Sequence, residues 1–371
     1  MAADRVSTLE LFFDLVFVFT ITQIALIIEH HPSWSSVAQA ALELMVIFWM
    51  YGGFAWLTNT LGTSTSRQRI VLLLGMAAFL VVSLTVPRAF GADGVAFGYA
   101  YLVLNIVHLA GFWFGGVASL AQAIRRIAPA NLLASALLIA AGYSGEPWHW
   151  PLWVAAVAVQ WLPPALTRAT EQFGISAKHF AERHGLMILI VLGESLISVA
   201  LATQDLPVRT DLIVGVLCGF GFSAAMWWCY FAQDDERAAQ ALEARGRGRD
   251  ALLGYDLPHA LMMAGVVGVA AGSRLSLPAL TEPTSLAAAS LIAGGGALYL
   301  AGLALFRAVL RYDDPRPRLV TALLLLAFIP VGRYAGAAQE LAGLALMITA
   351  MLLIERRWTA TRAAADTIVK A

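Results

Sequence analysis

The sequence predicts an all-α, polytopic transmembrane helix bundle, and three observations predict it. First, 60% of the 371 residues are apolar and only 13% are charged, where a soluble domain carries about 25% charged residues. Too little polar surface is left to cover a water-exposed globule. Second, the apolar residues come in blocks of membrane-spanning length, about 20 residues each, within which the backbone must satisfy its own hydrogen bonds. Third, the cations alternate in density from one inter-block segment to the next, as the positive-inside rule requires.

In order, the first-half blocks are Leu9–Ile28, Ser36–Thr58, Ile70–Pro87, Val95–Ala118, Pro129–Ala141 and His149–Ala165. The first carries Glu10 and Asp14, follows a nearly neutral start and lacks a small-x-small cleavage site, so it reads as a span, not a leader. The second-half blocks are His184–Ala202, Thr210–Ala232, Asp256–Ser273, Ser285–Phe306, Leu319–Gly332 and Ala337–Ile354. The fifth and eleventh are short, and either re-enters the membrane or extends into its flanks. With the N-terminus inside, the inner segments hold 20 of the 24 lysines and arginines, and the outer ones hold Arg88, Arg209, Arg274 and Arg333. Dropping one internal span would reverse everything downstream, so twelve spans with both termini cytoplasmic fit best.

The first and seventh spans both begin inside with a glutamate at the threshold. This suggests two parallel six-helix repeats: a first half over 1–166, a cytoplasmic linker over 167–183, a second half over 184–355 and a cytoplasmic tail over 356–371. The largest soluble piece, Gln233 to Tyr255, is expected to be a solvated, membrane-adjacent loop with a short surface helix over Asp234–Glu243. Cys218 and Cys229 lie eleven residues apart in one span, roughly 16 Å on a straight helix, beyond disulfide reach. The only lysines, Lys178 and Lys370, lie outside the blocks, which removes a Schiff-base cofactor. Zero net charge gives no pointer to nucleic acid. HExxH, P-loop and GxSxG patterns are absent, so no metal or cofactor is expected. The partners expected are the lipid bilayer and a small ion or solute, and an oligomer is compatible with this reading.

A carboxylate at membrane depth costs about 2.5–3.5 kcal/mol even on the lenient translocon scale, so each asks for a reason. Asp14 lies about 8 Å in from the inner end of its span, Glu43 roughly 10 Å from an outer end, and Glu194 about 15 Å into the seventh span. Glu10 and Asp14 are spaced i, i+4 and share a face with Thr22 further out. Such a pair suits proton binding, although Glu10 also stands where an acid caps a helix start. Glu194 sits in Gly193-Glu194-Ser195, with Ser198 and, three turns earlier, Arg183 on its face. That face would line a polar path, or Glu194 would make a structural hydrogen bond to another helix. Asn105 and His108 form a polar pair in the fourth span, fit for proton relay or a helix–helix hydrogen bond. His179 and His184, five apart, do not share a face. His259, beside Pro258, is placed to bond a freed carbonyl. Gly294-Gly295-Gly296 suits close helix packing.

Leu9-Glu10-Leu11-Phe12-Phe13-Asp14-Leu15-Val16-Phe17-Val18 resembles the opening signature of the bacterial low temperature requirement A (LtrA) family. Glu182-Arg183-His184-Gly185-Leu186, followed by Val191-Leu192-Gly193-Glu194-Ser195, resembles its second signature, and Trp49 with Trp56-Leu57-Thr58-Asn59 its tryptophan-rich second span. Two departures are the lack of acids over Thr60–Ser66 and a Pro258 that precedes His259. The Phe-Phe-Asp-Leu-Val-Phe stretch is also similar to the Phe-Ser-Asp motif of certain six-plus-six-helix potassium channels.

Together these features favour an ion- or proton-coupled transporter or channel of the bacterial inner membrane over an enzyme. Asp14, Glu194, Glu10, Glu43, His108 and Asn105 are its candidate ion or proton sites, and Arg183, Ser195, Ser198, Glu182 and His184 line or gate its path. One alternative is an intramembrane enzyme on lipid-linked substrates, using Glu194, His108 and Ser195. Another is a scaffold or sensor whose acids only join helices.

Overall fold

A computed structural model describes residues 6–115, 118–166, 175–203, 207–232, 234–245, 248–276 and 280–370, all helices and their connections with no strand among them. Ten stretches of helix among these residues are long and apolar enough to cross a membrane. The apolar side chains of Leu73, Leu74, Leu80, Val81 and Leu84 face outward on one such helix. That face would be an aggregation liability in water and suits contact with lipid. The chain is a multi-pass helical membrane protein.

Two compact units divide it. Unit 1 holds residues 1–194 and 236–260, and unit 2 holds 195–235 and 261–371. The division falls inside a helix at Glu194 and returns the 236–260 segment to the first unit, unlike the halves drawn at 166 and 184 from loop positions.

Unit 1 begins with α1 (Thr8–His30), α2 (Trp34–Leu61) and α3 (Ser66–Thr85). A capping box starts α1: Ser7 Oγ accepts from Glu10 N at 3.3 Å, and Glu10 Oε2 accepts from Ser7 N at 2.8 Å. Phe13, Phe17, Phe48, Tyr51, Phe54 and Phe79 pack ring against ring between the three helices. In lipid, close packing of this kind replaces the hydrophobic effect as the force joining helices.

α4 (Gly94–Trp113) and α5 (Ala118–Tyr143) cross at near-touching backbones, where Gly94 meets Gly142 and Gly98 meets Ile139. The short Pro129–Ala141 block lies in a longer helix, which begins well before Pro129 at Ala118 and ends just past the block at Tyr143. α6 (His149–Leu166) is tied across by Gln160 Nε2, which donates to Tyr101 OH at 2.6 Å, and that hydroxyl donates to Val46 O at 2.8 Å.

α7 spans Ala177–Ala202, α8 Thr210–Phe231, and α9 Asp234–Arg245 is the short helix expected there. The 233–255 segment is less solvated than its charge suggests, because Asp234, Ala238, Leu242, Ala251 and Tyr255 are buried. α10 (Gly248–Ala251) continues through a π-helical turn over Leu252–Asp256 into α11 (Leu257–Ser276).

In unit 2, α11 and α12 (Leu286–Leu310) approach at glycines. A Cβ on Gly265 would lie 2.5 Å from Gly295 O, and one on Gly295 equally close to Gly265 O. α13 (Arg316–Leu325) passes through a 3-10 turn at Leu326–Phe328 into α14 (Ile329–Tyr334), so the short eleventh block also extends into its flanks. α15 runs Ala337–Lys370. Arg307 pairs with Asp234 at 2.9 Å and Glu355 at 2.8 Å, and Arg318 with Glu355 at 3.1 Å.

Candidate functional site

In unit 1, α1 and α7 begin and α2 ends at one place, and the polar side chains of all three converge there. His179 and Arg183 are one turn apart on α7 and face Glu10 and Asp14, one turn apart on α1. The Arg183 side chain is 0% exposed, with Nη1 donating to Glu10 Oε1 (3.1 Å) and Thr58 Oγ1 (3.2 Å) and Nη2 to Asp14 Oδ1 (2.7 Å). The guanidinium also sits 5.6 Å from the centre of the Tyr51 ring, whose hydroxyl donates to Asp14 Oδ1 at 2.9 Å. A cation removed from water this completely needs such partners, since a buried charge is tolerated only when paired and hydrogen-bonded. Glu10 caps α1 through Oε2, one of the two roles anticipated for it, while Oε1 faces Arg183 and His179.

Hydrogen bonding fixes the His179 tautomer. Ser176 N donates to Asn59 Oδ1 at 3.0 Å, which sets the amide orientation, so Asn59 Nδ2 is the donor toward His179 Nδ1 at 3.2 Å. His179 Nε2 therefore carries the proton, and it lies 3.1 Å from Glu10 Oε1.

His184, the next residue after Arg183, faces a different acid. Its Nδ1 lies 2.9 Å from Phe180 O and its Nε2 3.0 Å from Asp256 Oδ1. A carbonyl only accepts, so Nδ1 carries a proton. The second contact then requires either a proton on Asp256 or a second proton on the ring. In both cases the pair holds one proton beyond a neutral imidazole and a carboxylate. Asp256 Oδ2 also accepts from Trp56 Nε1 at 3.1 Å. Asp256 ends the π-helical turn, in which Leu257 N reaches back to Leu252 O, two residues ahead of Pro258. Turns of this type concentrate at functional sites. His259 Nδ1 meets Tyr255 O at 2.8 Å, and its ring centre is 4.9 Å from that of His184.

Asp256 opens onto a cavity shared with His108, Asn131 and the tryptophans Trp49, Trp56 and Trp161, with about 50 Å³ open to the centre of a water-sized sphere. That exceeds the room one water needs, about 10–15 Å³ by the same measure.

The other expected site residues are dispersed. Glu194 accepts from Thr22 Oγ1 at 2.6 Å, higher on the α1–α7 seam. Glu43 is buried and takes one hydrogen bond from Gln39 at 3.1 Å. Asn105 bonds Tyr101 O and Ser135 Oγ, each at 3.1 Å, which makes it a helix–helix tie. The His108 ring lies against the Gly53 backbone, and among the described residues no side chain hydrogen-bonds either ring nitrogen. Glu182 is exposed and accepts from Val6 N at 3.2 Å. Ser195 belongs to unit 2 and lines a separate cavity with Gly215 and Ser223. The Ser198 side chain lies outside the described residues. Tyr51, Thr58, His179 and Asp256 are the members that sequence reasoning missed. Asp256 stood at the very edge of its apolar block, where a carboxylate needs no explanation.

The sequence pattern of the bacterial low temperature requirement A protein (LtrA) family matches residues 5–354. An uncharacterized protein of Rhizobium meliloti (strain 1021) is 28% identical over 360 residues, spanning 92% of this chain and 87% of that relative. No solved structure matches. The opening acid pair, the Glu182–Leu186 segment and Glu194 all lie within the matched span, and the chain belongs to the LtrA family.

Proposed function

We propose that this chain is a proton-coupled transporter or channel of the bacterial inner membrane. The observation that carries the reading is the His184–Asp256 pair, a proton-holding group within a membrane-spanning segment and open to a cavity. An isolated structural hydrogen bond needs neither the shared proton nor the adjoining space. Intramembrane ionisable groups of this kind mark ion pathways and proton relays. In this reading Asp14 and Glu10, held by Arg183, and Glu194, held by Thr22, are further proton or cation positions along the α1–α7 seam.

In this reading α6 and α7 cross the membrane beside the ten long apolar stretches, and both ends lie in the cytoplasm, as the arginine distribution favours. The enzyme alternative needs His108 within hydrogen-bond reach of Glu194 or Ser195, and no side chain hydrogen-bonds the His108 nitrogens among the described residues, which weighs against it.

The test is flux into liposomes, read with pH-sensitive and monovalent-cation dyes. Wild type should carry current or exchange protons, while Asp256→Asn and Glu194→Gln, folded by gel filtration, should lose most of it. A wild type that moves neither protons nor any monovalent cation tested sinks the proposal.

A further inference from the structure

Two consecutive glycines in the middle of α2 point to what occupies the cavity. A Cβ on Gly52 would stand 3.2 Å from Asp256 Oδ1, and one on Gly53 would stand 2.9 Å from His108 Nε2. The glycines at the helix crossings behave differently: Gly94 with Gly142, and Gly265 with Gly295, bring backbone against backbone. Glycine inside a helix weakens it. Here two in a row keep room for two titratable side chains rather than for a neighbouring helix.

The wall these side chains share has a specific chemistry. The indole N–H groups of Trp49, Trp161 and Trp56 are engaged with Asn131 Oδ1 (2.9 Å), Met45 O (3.1 Å) and Asp256 Oδ2 (3.1 Å). What these residues offer the cavity is therefore ring surface. His108 is 4% exposed and lines the same space; its polar neighbour is the Gly53 backbone, and at least one ring nitrogen has no hydrogen-bond partner among the described residues. A carboxylate, an unengaged imidazole nitrogen and indole surface together suit a cation that carries N–H donors. Such an ion gives hydrogen bonds to Asp256 and His108 and places its charge against the rings. Bare metal cations want several oxygen ligands, which this wall lacks, and Asp256 disfavours anions.

We infer that the cavity beside Gly52 and Gly53 is a binding site for a small ammonium-type cation, ammonium itself or methylammonium, held by Asp256, His108 and the tryptophan rings. The inference rests on the transport reading only for its use in a cycle; occupancy of the site does not. Because His184 and Asp256 already hold a proton between them, cation and proton compete for one carboxylate, and each cation bound releases one proton to solvent. The groups that face this pair are His259 and Tyr255, with ring centres 4.9 and 5.3 Å from His184, His108 across the cavity, and the neutral Trp56 on α2. Arg183, next to His184 on α7, is engaged with Glu10 and Asp14.

The experiment uses the full chain in detergent micelles, with radiolabelled methylammonium in equilibrium dialysis and a pH indicator in weak buffer. Wild type should bind saturably at one site, release close to one proton per cation bound, and bind more weakly as pH falls. Tetramethylammonium, which has no N–H donor and is too bulky for the space, should compete at least about ten-fold less well. Gly53→Ala, whose Cβ would stand 2.9 Å from His108 Nε2 and so displace that ring, and Trp49→Leu, which removes ring surface, should each weaken binding by about ten-fold. No saturable binding of ammonium or methylammonium by wild type overturns the inference, as does binding undiminished in both variants. Binding without liposome flux would remove the transport reading and leave this site standing; flux of another ion without binding would do the reverse.

Discussion

Replacing Arg183 with methionine keeps an unbranched apolar stem and removes the guanidinium and its charge. Four partners are affected: Glu10 at 3.1 Å, Asp14 at 2.7 Å, Thr58 at 3.2 Å and the Tyr51 ring at 5.6 Å. Glu10 retains Ser7 and His179, so most of the damage falls on Asp14, which keeps only the Tyr51 hydroxyl among the contacts described. Breaking a buried ion pair from one side costs about 3–5 kcal/mol, because the remaining charge is left uncompensated. The physical content lies in the rescue. Adding Asp14→Asn removes the stranded charge, and the double variant should recover at least half of that loss. Equilibrium unfolding in mixed micelles, run on both singles and the double, gives the coupling directly. An Arg183→Met variant within about 1 kcal/mol of wild type, or a double no more stable than Arg183→Met alone, would refute the assignment of this network as an interdependent unit.

Two further predictions concern unit 2. Gly265→Leu should destabilise by about 1–3 kcal/mol, since any side chain there meets Gly295 O. Gly294→Leu, which meets nothing within 4 Å, should be near neutral; equal effects in a thermal-shift comparison would contradict the described crossing. Glu340 is 0% exposed, and neither of its oxygens has a hydrogen-bond partner among the described residues. Glu340→Gln should therefore be neutral or stabilising by up to about 1–3 kcal/mol, and a lowered thermal midpoint would show that the carboxylate is needed.

Much of the helical architecture was legible because membrane spans announce themselves locally, through the length and apolarity of their blocks. The acid pair on α1 was legible for the same reason, since an i, i+4 spacing fixes a shared face wherever the helix goes. What lay beyond reach was pairing across the chain. Glu10 and Arg183 are 173 residues apart, and Trp56 and Asp256 are 200 apart, so no local period connects them. The spacing of His179 and His184 correctly put them on different faces, but nothing in it named an acid for each. Asp234 illustrates the opposite error: a charge in a charged loop looked solvated, yet it is buried against Arg307.

The π-helical turn over Leu252–Asp256 carries a mechanical consequence. It holds one residue more than an ordinary turn, a slack link wound into the helix immediately before Pro258. Taking up that link would advance the preceding residues by about 1.5 Å and swing them through about 100°. Asp256 sits at the end of the link, so the same movement would carry its carboxylate off His184 and Trp56. In the conformation described the extra residue stays wound into the turn, and the acid stays in reach of its histidine.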